Sequence, residues 1–175
     1  MNEQTKLSDH VLSIDIMAPV EKVWAEITKS GALQPWIYNT VFESTLQPGA
    51  KLRYYSPDKK RVFVVGEVKE VVEPTKFVHT YMFTTRPETP SLVTWELAPI
   101  DGGTRVTLTH AGWTDQVATH GSVHKGWKDI LANLKSWTEK GEIPFGQKMM
   151  YGMMGAMAFM MPASSKTEEV AKAGW

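Results

Sequence analysis

The chain has no cysteine. Disulfides, thiolate nucleophiles and cysteine metal sites are excluded, and nothing points to an oxidising compartment. Charge of one sign is also missing: 19 Lys and Arg balance 19 Asp and Glu over 175 residues. A chain so balanced lacks the broad basic field that holds a nucleic-acid backbone, so nucleic acid is not an expected partner. No apolar run reaches the roughly 18 residues a membrane span needs. Asp9, Asp15, Glu21 and Lys22 interrupt any signal-peptide core near the start. The glycines form neither G-x-G-x-x-G nor G-x-x-x-x-G-K-[ST], so no phosphate cradle is expected and no cofactor is implied. The expectation is a soluble cytoplasmic protein.

What is present has a clear order. His10–Met17 alternates, with Leu12, Ile14 and Ile16 on one face, and reads as a half-buried strand. Pro19 then opens a helix carrying Val20, Val23, Trp24 and Ile27 at helical spacing, and Ser30-Gly31 breaks it. A second short helix is expected near 31–36. From about 41 to 112 the period is two. Leu52 and Tyr54 share a face, as do Val62, Val64, Gly66 and Val68, then Phe77, His79, Tyr81 and Phe83, then Val93, Trp95 and Leu97. Val106, Leu108 and His110 follow the hairpin signal Asp101-Gly102-Gly103. From 119 to 139, Val123, Trp127, Ile130, Leu131, Leu134 and Trp137 form one helical stripe, which Lys140-Gly141 ends.

One strand, two short helices, six or seven strands in an antiparallel meander and one long helix make an α+β chain. Its single apolar sheet face is covered by that helix. The segments APVEKVW (18–24), LQPW (33–36), GEVKEVVEPTKFVHTY (66–81), SLVTWELAPIDGGTRVTLTHAGW (91–113) and GWKDILANLKSW (126–137) resemble, in the same order, bacterial homologues of the Hsp-ninety ATPase activator, within the START-like (SRPBCC) superfamily. The resemblance implies a helix-grip fold over residues 9–140, a curved sheet gripping the long helix around an internal cavity. It brings no universal catalytic motif, so no catalytic residue is implied. Residues 141–175 lie outside it as an extension, with a methionine-rich segment at 149–161.

The candidate cavity residues are Trp36, Tyr54, His79, Tyr81, Phe83, Trp95, His110, Trp113, Trp127 and Leu131. Pockets for flat apolar ligands are commonly aromatic with few polar groups. His79 and His110 stay open between two roles, anchoring a ligand or pairing within the core. His120 and His124 stand four apart, but Gly121 replaces the glutamate of a H-E-x-x-H site and no third ligand is at hand, so no metal is expected. The leading expectation is a small apolar or aromatic ligand bound without catalysis. The alternatives are a co-chaperone-like partner module and a cyclase- or hydrolase-type enzyme acting on a polyketide-like substrate.

Seven of the ten methionines fall in 149–161. That run is expected to be helical, with Met150, Met154, Met157 and Met161 along one side. It is expected to pack on its own domain, on a second copy of the chain, or on a partner protein, because a soluble protein rarely leaves so much apolar surface bare. The tail 162–175 is polar and small apart from Trp175 and is expected to be mobile.

Overall fold

The computed structural model describes residues 7–86 and 88–175. β1 (His10–Ile16) leads through Ala18-Pro19 into α1 (Val20–Thr28). Pro19 stands at the N-cap with its fixed φ, and Glu21 puts a carboxylate near the positive end of the helix. Val23, Trp24 and Ile27 turn inward, and α1 stops before Gly31, which takes a left-handed φ of 79°. The strands that follow are β2 (Leu33–Gln34), β3 (Thr40–Glu43), β4 (Lys51–Tyr55), β5 (Val62–Val72), β6 (Lys76–Phe83), β7 (Ser91–Ile100) and β8 (Gly103–Ala111).

All eight strands form one antiparallel sheet in the order β1-β8-β7-β6-β5-β4-β3-β2. The first strand therefore closes against the last, while α1 carries the chain to the opposite edge. The count exceeds the six or seven expected because the 33–43 region supplies two short edge strands. The second helix expected near 31–36 does not form. Leu33 and Gln34 pair with Val41 and Thr40 instead, and the buried Gln34 amide donates to the carbonyl of Glu26 at 3.0 Å. A carbonyl at the end of α1 thus finds its partner in a strand.

Two bulges change the side-chain parity. Tyr54 pairs with Val64 but Tyr55 pairs with Val62, leaving Phe63 as the extra residue. Val62 consequently joins Val41, Tyr55 and Val65 on the outer face, whereas strict alternation put it inside. The second bulge lies between Val68 and Glu70 and leaves both Lys69 and Glu70 exposed. At Gly66 β5 and β6 approach closely: a Cβ there would lie 2.0 Å from the Thr80 carbonyl oxygen.

α2 (Val117–Lys140) lies in the concavity of the sheet. Its buried stripe of Val123, Trp127, Ile130, Leu131 and Leu134 meets Phe42, Leu52, Tyr54, Phe77, Trp95 and Leu108. Gly141 ends the helix in the left-handed conformation, φ 73°, its N–H returning to the Trp137 carbonyl.

The extension folds back rather than trailing away. α3 (Phe145–Ala156) and a 3₁₀ turn at Ala158–Met160 cross the open end of the half-barrel. A second turn at Ala163–Ser165 and α4 (Thr167–Lys172) then run onto the outer face of the sheet. Val170 is buried there among Val41, Tyr55, Val62 and Val65, with Trp175 packed alongside. Arg61 fastens the crossover: its guanidinium donates to the carbonyls of Phe159 (3.1 Å), Met161 (3.1 Å) and Pro162 (3.0 Å) and to Ser165 Oγ (3.0 Å). The mobile tail expected for 162–175 is thus corrected. An arginine on β5's leading edge and two apolar residues in a polar stretch are enough to hold it.

Candidate ligand cavity

A cavity of about 370 Å³ lies between the sheet, α2 and α3. Tyr54, Val64, Tyr81 and Phe83 form its floor, and Phe63 reaches it because the bulge turns its side chain inward. α2 supplies a wall of Val123, Gly126, Trp127 and Ile130. The rim is the turn 37–40, where Tyr38 and Asn39 adopt left-handed φ angles of 51° and 54°. That unusual turn lays the Tyr38 hydroxyl across Gly126, where a Cβ would stand 2.9 Å from it. Tyr151, Met154, Gly155 and Met161 close the top.

Tyr151 anchors this cover. It is the buried residue of α3, its ring rests on Tyr38 at 5.0 Å between centroids, and its hydroxyl accepts from Asn133 Nδ2 at 2.8 Å. The other side of the segment stays bare: Phe145, Met149, Met153, Met157, Phe159 and Met160 are between 49% and 75% exposed. Full cover of 149–161 was expected, but the apolar side chains encircle the helix and a single contact line can cover only one side. Of the four methionines placed on one side, Met154 and Met161 line the cavity, Met150 is half-buried and Met157 faces outward.

Among the described residues no Lys, Arg, His, Asp or Glu lines the cavity. Its polar side chains are four phenols, Tyr38, Tyr54, Tyr81 and Tyr151, with Asn39, Thr40, Thr85 and Ser122. Burial pushes the Tyr38, Tyr54 and Tyr81 hydroxyls above their ordinary range, and Tyr151 is raised to about 12, also chiefly by burial. All four are neutral, protonated hydroxyls at neutral pH.

Of the ten residues singled out from the sequence, Tyr54, Tyr81, Phe83 and Trp127 line this space. Trp36, His79, Trp95, His110, Trp113 and Leu131 do not; they are buried in the layer behind it. Trp36 meets Trp95 edge-on at 6.3 Å, and Trp95 meets Trp127 edge-on at 5.9 Å. His110 is fully engaged by the protein. The Trp127 indole N–H can only donate, and it donates to His110 Nδ1 at 2.8 Å. The proton of the neutral ring therefore sits on Nε2, which donates to Ser91 Oγ at 2.7 Å, and Ser91 donates in turn to the Tyr81 carbonyl at 3.1 Å. Trp113 lies tilted against His110 at 4.2 Å between ring centroids, and its indole N–H donates to the His110 carbonyl. His79 Nδ1 donates to the Thr80 carbonyl at 2.8 Å, while its Nε2 is buried without a partner among the described residues. Burial pushes His79 down to about 4 and, with neighbouring imidazoles adding to it, His110 down to about 3.

His120 and His124 sit away from the cavity, beside His10, with ring centroids 4.2 Å and 5.1 Å from it. His10 Nε2 donates to the His120 carbonyl and His120 Nε2 to that of Ser8, so these nitrogens serve the backbone. Among the described residues no group of three or more His, Asp or Glu could hold a metal ion.

Sequence reasoning missed Tyr38, Phe63, Gly126 and Tyr151. Tyr38 was obscured by the helix expected before it and Phe63 by the bulge. Tyr151 did carry a signal, as the lone polar aromatic in a run of methionines.

A curved sheet closed on a long helix around an apolar chamber defines a helix-grip protein. Within that class, residues 17–139 match the family described as Activator of Hsp90 ATPase homolog 1-like protein, and the chain belongs to it. Solved structures share the fold. CalU16 from Micromonospora echinospora superimposes with a TM-score of 0.63 at 18% identity, over 87% of this chain and 86% of that one. The Aha1 dimer from Colwellia psychrerythraea gives 0.64 at 17%, over 77% and 98%. DynU16, encoded in the dynemicin biosynthetic locus, gives 0.65 at 18% over 77% of this chain, which spans only 48% of the DynU16 chain. No curated protein matches. The family match ends at 139, so the cover over the cavity lies beyond it. Among the described residues no helix is long and apolar enough to cross a membrane.

Proposed function

We propose that the protein binds a small, flat, apolar or aromatic molecule in this cavity without transforming it. The observation that carries this is a chamber of about 370 Å³ with aromatic walls, no charged lining residue and a cover made from the chain's own extension. A site of that size and lining suits a few fused rings. The cyclase- or hydrolase-type alternative needs a positioned acid and base at the ligand. Neither His79 nor His110 lines the space, which favours binding over turnover. Titration with the neutral fluorophore Nile red tests the proposal. Saturable binding at one site per chain is expected, and Val123→Phe, which adds a ring to the α2 wall, should abolish it while the circular dichroism spectrum stays the same. Binding that never saturates, or that ignores Val123→Phe, would refute it.

A second function rests on a different observation, the bare outer side of α3. Phe145, Met149, Met153 and Met157 present flexible, polarisable apolar groups that adapt to varied surfaces. Such a face suits a partner protein or a second copy of the chain, as the co-chaperone-like alternative requires. A concentration series by light scattering, on wild type and on Met149→Lys/Met153→Lys, distinguishes self-association from a monomer.

A further inference from the structure

The phenols of the cavity allow the ligand class to be narrowed, on the premise that the cavity binds a ligand at all. Of the other polar side chains that line it, Asn39, Thr40, Thr85, Ser122 and Tyr151, two spend their donors on the protein. Thr40 Oγ1 donates to the Ile37 carbonyl and Ser122 Oγ to that of Thr119, whereas the Tyr151 hydroxyl accepts from Asn133 Nδ2 and is fixed in place by it, its own proton left over. Tyr38, Tyr54 and Tyr81 differ. None of their hydroxyls has a hydrogen-bond partner among the described residues, and none is sealed off from free space, although Tyr54 and Tyr81 are themselves only 5% and 9% exposed.

Their placement is convergent. Tyr54 on β4 pairs with Val64 on β5, which pairs with Phe83 on β6, so Tyr54 and Tyr81 project from the same face two strands apart. Tyr81 lies two residues along β6 from Phe83, so a lateral spacing of about 9–10 Å and an axial offset of about 6–7 Å put the two backbones roughly 11–12 Å apart, a gap that two tyrosine side chains and one ligand atom can fill. Tyr38 reaches across from the rim above them. We propose that the ligand is uncharged and carries a carbonyl oxygen, of the ketone or quinone kind, that accepts hydrogen bonds from these tyrosine hydroxyls.

The chemistry follows from the lining. A phenol donates better than it accepts, because its oxygen lone pair is delocalised into the ring, and a carbonyl oxygen offers two lone pairs. A carboxylate or ammonium would enter a chamber with no countercharge and lose its hydration uncompensated. Arg86 stands outside the lining, exposed to solvent, with its guanidinium over Phe83 at 5.8 Å and donating to Ser122 Oγ at 3.1 Å, while Lys125 and Asp129 on α2 pair with each other at 2.8 Å. Burial keeps all three phenols protonated, which preserves the donors and removes any anion that would repel an electron-rich oxygen. Tyr81 meets Phe83 edge-on at 5.2 Å and is tilted against Trp127 at 5.6 Å, so ring faces and edges alternate along the wall.

Three compounds with one ring frame separate the contributions: fluorene, with no oxygen; 9-fluorenone, with one carbonyl; and 9-fluorenone-4-carboxylate, with an added charge. Their affinities are measured by displacement of Nile red from the full chain. Fluorenone is expected to bind about tenfold more tightly than fluorene, as two modest hydrogen bonds would give, and the carboxylate more weakly than fluorenone. Tyr54→Phe/Tyr81→Phe keeps the rings and removes two hydroxyls. It should bring fluorenone down to the affinity of fluorene while leaving fluorene unchanged. Equal affinities of fluorene and fluorenone for the wild type, or tightest binding of the carboxylate, overturn the carbonyl assignment and leave the cavity as a binding site. Failure of all three compounds to displace Nile red overturns the cavity reading together with it.

Discussion

Acidification loads two imidazoles that the fold keeps neutral. An unfolded chain protonates His79 and His110 near their ordinary 6.5, whereas the folded chain resists until about 4 and about 3. Both folded values lie below the unfolded one, so the unfolded state binds more protons in between. Stability is fully present above about pH 6.5 and falls as the pH drops toward 4. At 1.36 kcal/mol per unit of displacement, each histidine contributes a loss of about 3 kcal/mol by pH 4, or about 6 kcal/mol for the pair. That rivals the whole stability of a typical domain, 5–15 kcal/mol. The geometry gives the same sign independently. A second proton on His110 would sit on Nδ1 and point at the Trp127 N–H, setting donor against donor. The exposed ion pairs, such as Arg105 with Asp15, hold carboxylates below their usual range and add little over this interval. Guanidinium melts at pH 7, 6, 5 and 4 should show free energies falling at about 2.7 kcal/mol per pH unit around pH 5, the slope for two protons. Imidazole carbon-bound proton shifts in the folded protein should leave two histidines untitrated down to pH 5. A flat stability curve from pH 7 to 4.5, or a His110 resonance titrating near 6.5, would refute the neutral-imidazole network.

Three further outcomes follow from the packing. Gly66→Ala places a methyl group 2.0 Å from the Thr80 carbonyl and should lower stability by on the order of 3 kcal/mol, read from denaturant midpoints, since backbone rather than a movable side chain must give way. Arg61→Ala removes four hydrogen bonds to the extension and should abolish hydrogen-exchange protection in residues 159–170 while leaving β7 and β8 protected. Deleting 145–175 uncovers both the cavity and the outer cluster around Val62 and Val65 and should promote aggregation and dye binding; a truncated chain as soluble and stable as the intact one would show that the extension does not dock.

Much of the architecture was legible because it rests on periodicity. The stripe Val123, Trp127, Ile130, Leu131 and Leu134 and the alternation of Phe77, His79 and Tyr81 survive into the core intact. The departures share a physical cause: side-chain direction depends on backbone events that alternation does not encode. One extra residue at Phe63 reverses Val62 and adds an aromatic ring to the cavity. A two-residue edge strand displaces an expected helix because Gln34 can bond the end of α1. Facing inward also proved different from facing the cavity. His79, Trp95 and His110 point toward the concave side, but neighbouring aromatics fill the space before them, and only Tyr54, Tyr81, Phe83 and Trp127 of the ten meet the free volume.

The cover over that volume is made of material that holds its shape weakly. Three of α3's twelve residues are glycine, and at Gly146, Gly152 and Gly155 a Cβ would meet nothing within 4 Å. None of the three has a positive φ, so neither crowding nor backbone geometry demands glycine there. What these positions do change is helix propensity, by about 1 kcal/mol each relative to alanine. The segment can therefore melt on its own while the eight-stranded sheet stays intact. Gly141 at one end and the Arg61 cluster at the other keep it tethered, so reclosure is a loop closure within the molecule and not a search through solution. Closing a ten-residue loop takes about 10–100 ns and re-forming a helix about 0.1–1 μs. Under the proposed function, a molecule bound in the chamber would share it with a cover at high effective concentration. Its residence time would then be set by how often one short helix frays rather than by the stability of the protein as a whole.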